Sequence, residues 1–149
     1  MHRVKRIEHI KRPLESDVAI ALADWMRAHR ITFVHIPNGE LRPAKENKHG
    51  KRYSIVGQKL LKMGVQPDFP DYLILQPPPN VLGCMCAAFE LKRSGEKLRD
   101  GQRSWLRLLK TLDFIVPTDP HGIPRELAGY DDALRQLQLW GYGIRRNRT

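Results

Sequence analysis

Three charged side chains lie beside or within two short apolar runs in the middle of the chain. Asp71 precedes the run at residues 72–75, Glu90 lies in the run at residues 84–91, and Lys92 follows it. Charges in apolar strands are costly unless they pair or bind an ion. Two carboxylates can hold a hard divalent cation. These residue types therefore indicate a divalent-cation site with an ammonium group beside it.

Both apolar runs are predicted to be buried strands. Each is too short for a typical helix and is bounded by Pro and Gly. A tight connection at residues 77–83 would join them into an antiparallel hairpin centred near Asn80. That register places residues 70 and 71 across from residues 90 and 89, which brings Asp71 close to Glu90.

The alternation of side chains along a strand and the nearby sequence indicate which residues lie beside Glu90. Lys92 lies two residues further on, so its ammonium group points to the same side of the strand. A second Pro-Asp dipeptide, Pro67-Asp68, offers another carboxylate. Asp71 is preferred because it adjoins the strand and falls opposite Glu90, whereas Asp68 lies beyond the strand pairing.

The remaining segments supply elements that can position these groups. Residues 14–30 place Val18, Leu22, Trp25 and Met26 on one helical face. The β-branched and aromatic run at residues 31–36 predicts a strand. We also expect a polar mobile loop at 40–52, helices at 53–63, 97–112 and 130–140, a strand at 113–117 and a turn-rich loop at 118–124. Together they predict an α/β fold with a mixed central sheet of about four strands flanked by helices.

Two polar residues fall on apolar helix faces. Glu15 lies in the first turn of the N-terminal helix, where the helix dipole alone favours a carboxylate. Gln102 falls on the apolar stripe of the helix at residues 97–112, and a buried amide needs hydrogen-bond partners. It could equally lie at the edge of that stripe, so the residues alone leave both roles open.

The order Pro-Asp, strand, Glu-x-Lys resembles the PD-(D/E)xK nucleases, and the wider order is similar to the VRR-NUC family, the virus-type replication-repair nuclease domain. The similarity covers about residues 15–112. It rests on Glu15 at a helix start, Ile36-Pro37-Asn38-Gly39 after the first strand, Lys62-Met63-Gly64 before Pro70-Asp71, and Gln102 and Trp105 after Glu90-x-Lys92. The resemblance implies a restriction-endonuclease-like core.

The resemblance also implies roles at the site. Asp71, Glu90 and the backbone carbonyl of Leu91 would bind Mg²⁺ or Mn²⁺, with Glu15 reaching the metal directly, through water, or at a second metal. Lys92 would orient the attacking water or neutralise the phosphate, and Gln102 would lie near the active site. Oxygen ligands favour these ions over zinc.

Charge points to a polyanionic partner. The formal net charge is +10, and such a balance favours nucleic acid. The basic residues expected to contact DNA are Lys45, Lys48, Lys51, Arg52, Lys59, Lys62 and Arg93. Asn47 and His49 superficially offer the residues of a ββα-metal nuclease, but we expect no strand pair around them, which disfavours that class.

Length and composition bound the class of protein. The 149 residues predict one domain over 1–149, with a basic arm at 1–12 and a basic tail at 143–149. Cys84 and Cys86 lack partners for a zinc site and predict a reduced, intracellular chain. No apolar run is long enough to span a membrane, and the N-terminus lacks the features of a secretory signal. We therefore expect the cytoplasm of a bacterial or phage-infected cell.

The predicted function is that of a metal-dependent, structure-selective endodeoxyribonuclease. The resemblance implies branched DNA such as four-way (Holliday) junctions, as in repair and recombination, and paired incisions would suit a homodimer. The arm with Val4, Ile7 and Ile10, together with Trp140-Gly141-Tyr142, looks surplus to a monomer core and is expected near the dimer interface. The alternative is a basic nucleic-acid-binding module that keeps the fold without catalysis.

Overall fold

A computed structural model describes residues 14–37, 45–46, 48–50, 52–53 and 55–144. The predicted basic arm at 1–12 and residues 145–149 of the predicted tail lie outside this part of the chain. The helices are α1 (Glu15–Ala28), α2 (Ile55–Lys62), α3 (Asp100–Thr111) and α4 (Tyr130–Leu139). The strands are β1 (Phe33–His35), β2 (Lys45–Glu46), β3 (Arg52–Tyr53), β4 (Tyr72–Ile74), β5 (Cys86–Phe89), β6 (Leu91–Lys92), β7 (Phe114–Ile115) and β8 (Leu127–Ala128).

A mixed four-stranded sheet forms the centre of the molecule, in the order β1-β4-β5-β7. β1 and β4 are antiparallel, as are β4 and β5, while β5 and β7 are parallel. Two smaller pairs accompany it, antiparallel β2–β3 and parallel β6–β8. The coarse prediction of an α/β fold with a mixed sheet of about four strands and flanking helices is therefore confirmed.

The alternation of side chains divides the packing between two faces of this sheet. Tyr72, Ile74, Ala87 and Phe89 share one core with apolar residues of α1 and α4. Ala88 packs in a second core with α3 on the opposite face. Because neighbouring strand residues point to opposite faces, the sheet is covered on both sides.

The register of the hairpin differs from the predicted one by one residue. Tyr72 pairs with Phe89, so continuing the ladder places Asp71 directly opposite Glu90. The predicted register would have put Asp71 opposite Phe89, on the wrong face. The prediction failed because β4 and β5 are joined by residues 75–85 rather than by a tight turn, so the centre of the connection was misjudged.

Two further expectations about local structure are wrong. The polar segment at residues 40–52 was expected to be a loop without strands, but β2 and β3 form a short antiparallel pair there. The reason given against a ββα-metal site, the lack of a strand pair near His49, therefore fails. The apolar strand β8 was not predicted, because two residues are too few to show a period.

The C-terminal segment belongs to the monomer core, which overturns its expected place at a dimer interface. Trp140 and Tyr142 are only 5% and 1% exposed. The Tyr142 hydroxyl donates to the carbonyl of Gln76 at 2.7 Å. Gly141 has a positive φ of 93° and passes so close to Asn80 that a Cβ atom would meet Asn80 side-chain and backbone atoms at 2.8–2.9 Å. The expected role of the N-terminal arm lies outside the described residues.

Among the described residues, none of the helices combines the length and the apolar character needed to cross a bilayer.

Replacing Trp140 by Ala should lower the free energy of unfolding by about 3–5 kcal/mol, because it removes a large side chain from a packed core. Leu139→Ala is the matched control: its side chain is 65% exposed, and we expect a change within about 0.5 kcal/mol. Urea unfolding followed by circular dichroism measures both. Wild-type stability in Trp140→Ala, with a change in oligomeric state by light scattering, would instead support an interface role.

Candidate active site

All five residues predicted to be catalytic line a single cavity of about 130 Å³. These are Glu15, Asp71, Glu90, Lys92 and Gln102. The cavity lies where β1 ends, β4 begins and β5 ends, so three adjacent strands contribute to one edge of the sheet. The starts of α1 and α3 close its sides.

Asp71 and Glu90 hold each other through the backbone. The amide of Asp71 donates to Oε2 of Glu90 at 3.2 Å, and the amide of Leu91 donates to Oδ2 of Asp71 at 3.2 Å. Each carboxylate thus accepts a hydrogen bond from the strand that carries the other. This reciprocal arrangement fixes both side chains at the point where the regular pairing of β4 with β5 ends.

At Glu90 the chain passes from β5, which pairs with β4, to β6, which pairs with β8. One edge of the chain therefore extends beyond the start of β4. The carbonyl of Glu90 accepts from the amide of Leu127, and that of Lys92 accepts from Gly129, so both face β8. In an extended strand the N–H and C=O of one residue point to the same edge. The Leu91 amide points to Asp71, and its carbonyl therefore faces the same edge, beyond the start of β4.

Glu90 is only 2% exposed, and three donors surround it. Oε1 accepts from the ammonium of Lys92 at 2.9 Å and from the side-chain amide of Gln102. Gln102 is held in turn, because its Oε1 accepts from the amide of Arg99 at 2.9 Å. A buried carboxylate needs such partners. Gln102 therefore lies at the site, and the explanation that places it at the edge of a helix stripe is wrong.

Burial raises the pKa of Asp71 to about 8, and the neighbouring charge of Glu90 adds to the rise. Burial also raises the pKa of Glu90 above its usual range, although the hydrogen bond from Lys92 opposes the rise. Burial alone would lower the pKa of Lys92, but its contact with Glu90 and the nearby carboxylates raise that pKa. The site thus disfavours the ionised form of both carboxyl groups, and a bound cation would favour it.

The donor set fits a hard divalent cation. Asp71, Glu90 and the Leu91 carbonyl offer oxygen atoms only, which suits Mg²⁺ or Mn²⁺. Glu90 Oε2 has one donor, the Asp71 amide, and so keeps an acceptor site for a metal. In the part of the chain that is described, no group of three His, Cys, Asp or Glu side chains is arranged to hold a metal. The set therefore needs the backbone carbonyl, water or a phosphate oxygen to complete it.

Glu15 lies at the first residue of α1 and is partly buried in the cavity wall. Its charge contributes the smallest of the named increases in the pKa of Asp71. It is therefore near the carboxylate pair yet outside their hydrogen-bonded set. This position suits a contact to a metal through water, among the modes that the sequence left open.

Two residues at the cavity were missed in the sequence. Arg99 lines it and forms an ion pair with Asp68 at 2.6 Å. A cation at the start of α3 is unusual, because the helix dipole disfavours it there. This unusual position was the sequence feature that could have marked Arg99 as a site residue. His35 also lines the cavity, and no pattern marked it. Asp68 is paired with Arg99, which agrees with the choice of Asp71 as the partner of Glu90.

Four of the basic residues expected to contact DNA can be placed, and none of these four lines the cavity. Lys59 and Lys62 are exposed in the last turn of α2, Lys48 is exposed in the turn between β2 and β3, and Arg93 directly follows β6. The side chains of Lys45 and Arg52, and all of Lys51, lie outside the described part of the chain.

Comparison with known proteins gives no further guide. The chain has no significant match to a protein-family model, to a curated protein or to a solved structure. The function of the cavity must therefore be argued from its residues and their geometry.

Asp71→Asn should stabilise the protein in EDTA, and increasingly so as the pH rises from about 4 to about 8. The folded pKa of Asp71 is about 8, against an ordinary 3.8. Between these values the carboxyl group ionises in the unfolded state but stays protonated in the folded state, so the wild type loses stability as the pH rises. Asn cannot ionise and escapes this loss.

The measurement is the difference in melting temperature between variant and wild type at several pH values. Asp113→Asn makes the same change at an exposed carboxylate and measures the effect of removing one surface charge. A difference for Asp71→Asn that stays constant with pH would contradict the raised pKa.

Proposed function

We propose that this protein is a Mg²⁺- or Mn²⁺-dependent endodeoxyribonuclease with a restriction-endonuclease-like core of the VRR-NUC type. The observation that carries the proposal is the reciprocal hydrogen bonding of Asp71 and Glu90, with Lys92 on the same carboxylate, in an open cavity. A protein that only binds nucleic acid gains nothing from carboxylates beside a phosphate, since they repel it.

Each residue has a role in that chemistry. Asp71, Glu90 and the Leu91 carbonyl would hold the cation, which when bound would neutralise phosphate charge and make an attacking water more acidic. Lys92 supplies a positive charge for the phosphate or orients the water. Gln102 and the Asp71 amide keep Glu90 in one orientation. Glu15 closes the wall of the site with a further carboxylate.

The net charge of +10 supports a polyanionic substrate, and the order of motifs supports branched DNA such as four-way junctions. A homodimer would supply the two sites that paired incisions need. The burial of Trp140 and Tyr142 removes one of the two surfaces expected at its interface, so a dimer would use another surface.

Mn²⁺ should bind the wild type with release of protons, and more tightly as the pH rises from 6 to 8. The reason is that cation binding requires ionised carboxylates, and Asp71 has a pKa of about 8. Isothermal titration calorimetry in two buffers of different ionisation enthalpy measures both quantities. Glu90→Gln should lose binding, whereas the control Asp68→Asn should keep it. Equal affinity in Glu90→Gln would exclude this carboxylate as a ligand.

Purified protein should cut labelled four-way junction or flap DNA with Mg²⁺ or Mn²⁺, and not in EDTA. Asp71→Ala and Glu90→Ala should lower the rate by about a hundredfold or more, because each removes a ligand. Asp68→Ala should keep most activity, since Asp68 pairs with Arg99 instead.

Duplex and single strand are the control substrates for structure selectivity. An inactive Asp68→Ala beside an active Asp71→Ala would refute the assignment. Salt-dependent binding of all these DNAs without any cleavage would favour the alternative of a non-catalytic module.

A further inference from the structure

A second cavity of about 260 Å³ adjoins the candidate active site. Ala19, His35 and Tyr72 line both cavities, so the two share a wall. The second lies between α1 and the β1–β4 edge of the sheet. Neither the carboxylates of the candidate active site nor the basic residues expected to contact DNA line this second cavity.

The register of the sheet builds one wall of this cavity from stacked rings. His35 pairs with Tyr72 across β1 and β4, and Tyr72 pairs with Phe89 across β4 and β5. Directly opposite residues share a face, so the three rings form a column. His35 lies on Tyr72 with centroids 4.7 Å apart and planes at 9°, and Tyr72 lies on Phe89 at 5.0 Å and 9°.

The column ends at the surface. Tyr72 and Phe89 are buried, but His35 is exposed. Tyr72 covers one face of the His35 ring and leaves the other face free of that contact. Because buried Tyr72 supports it, the His35 ring can act as an aromatic platform in the wall of this second cavity, which we call the slot.

The other walls suit a flat, uncharged ring system. Ala19 on α1 is small and leaves room, Ile20 presents an exposed apolar side chain, and Phe33 lies further along β1. The guanidinium of Arg27 lies 5.8 Å from the centre of the Phe33 ring. The same guanidinium pairs with Asp24 at 3.0 Å, so this end of the slot is bounded by an ion pair.

We propose that this slot binds an unpaired nucleobase of the DNA strand whose phosphate occupies the adjoining cavity, with the base stacked on His35. Bases stack on aromatic side chains, histidine included, whatever their sequence. A base within a duplex is already stacked and paired, so only a nucleotide freed at a branch, a flap or a single strand can enter. The slot thus gives a physical origin for selection of DNA structure.

The inference rests on the proposed function, because a base reaches the slot only if its phosphate lies in the candidate active site. It goes beyond that function by assigning a substrate feature, the unpaired nucleotide beside the scissile phosphate, and a residue, His35, that reads it.

Binding with Ca²⁺ in place of Mg²⁺ or Mn²⁺ tests the inference, because Ca²⁺ takes oxygen ligands and offsets the repulsion between the carboxylates and the phosphate. A denaturing gel checks that the probe stays uncut. The probe is a fluorescently labelled flap duplex in which one abasic site is moved, nucleotide by nucleotide, through the strand around the branch point. Fluorescence anisotropy should show binding about five- to a hundredfold weaker when the abasic site falls at the position that enters the slot. At other positions the loss should be small.

Three variants decide which residue is responsible. His35→Ala should weaken binding to the intact flap by the same factor and abolish the effect of the abasic site, whereas His35→Phe should retain both. Val34→Ala, at a 42% exposed neighbour on the opposite face of β1, should behave as the wild type. Circular dichroism checks the fold of each.

An abasic effect that persists in His35→Ala overturns the inference, as does a wild type without any abasic effect or without DNA binding. Cleavage assays with Mn²⁺ separate this result from the proposed function. A protein that shows the His35-dependent effect but never cuts keeps the slot and loses the nuclease assignment. One that cuts flaps without an abasic effect does the reverse.

Discussion

The reciprocal hydrogen bonds between Asp71 and Glu90 are the constraint on which the candidate site depends. Burial raises the pKa of both carboxyl groups, and the charge of Glu90 adds to the rise for Asp71. They stay together because each accepts an amide from the strand of the other. That exchange is possible only where the pairing of β4 with β5 stops and β6 takes β8 as its partner. The end of the sheet thus positions the chemistry.

The same arrangement lowers the folding stability of the protein when no cation is bound. Buried carboxylates with raised pKa values lower stability near neutral pH, and Gln102 and Lys92 offset only part of this through their bonds to Glu90. A bound cation would remove the repulsion, so folding and metal binding would be coupled. The site lowers the stability of the protein until a cation balances its charges. Such a cost is typical of functional sites, whose groups are held in place before the ligand binds.

The sequence predicted which residues meet at the site better than their register. Asp71, Glu90 and Lys92 were found because charged residues in apolar strands must have partners, whereas the residues alone left Gln102 open and the family resemblance placed it. The register was missed by one residue, because prolines and glycines between 75 and 85 hide where the strands end. Trp140 and Tyr142 were misplaced, since a short apolar motif near a chain end does not reveal that Gly141 lets it pack against Asn80. Arg99 carried only the signal of a cation at a helix start, and His35 needed the fold itself.

One short segment, the start of β4, connects the two cavities. Asp71 and Tyr72 are neighbours, and strand alternation sends them to opposite faces. Asp71 meets Glu90 on the side of α3, while Tyr72 stacks between His35 and Phe89 on the side of α1. A shift of this strand by one residue would exchange the faces and dismantle both sites together. The carboxylates of one cavity and the stacked rings of the other therefore lie side by side, because a single strand register sets the position of both.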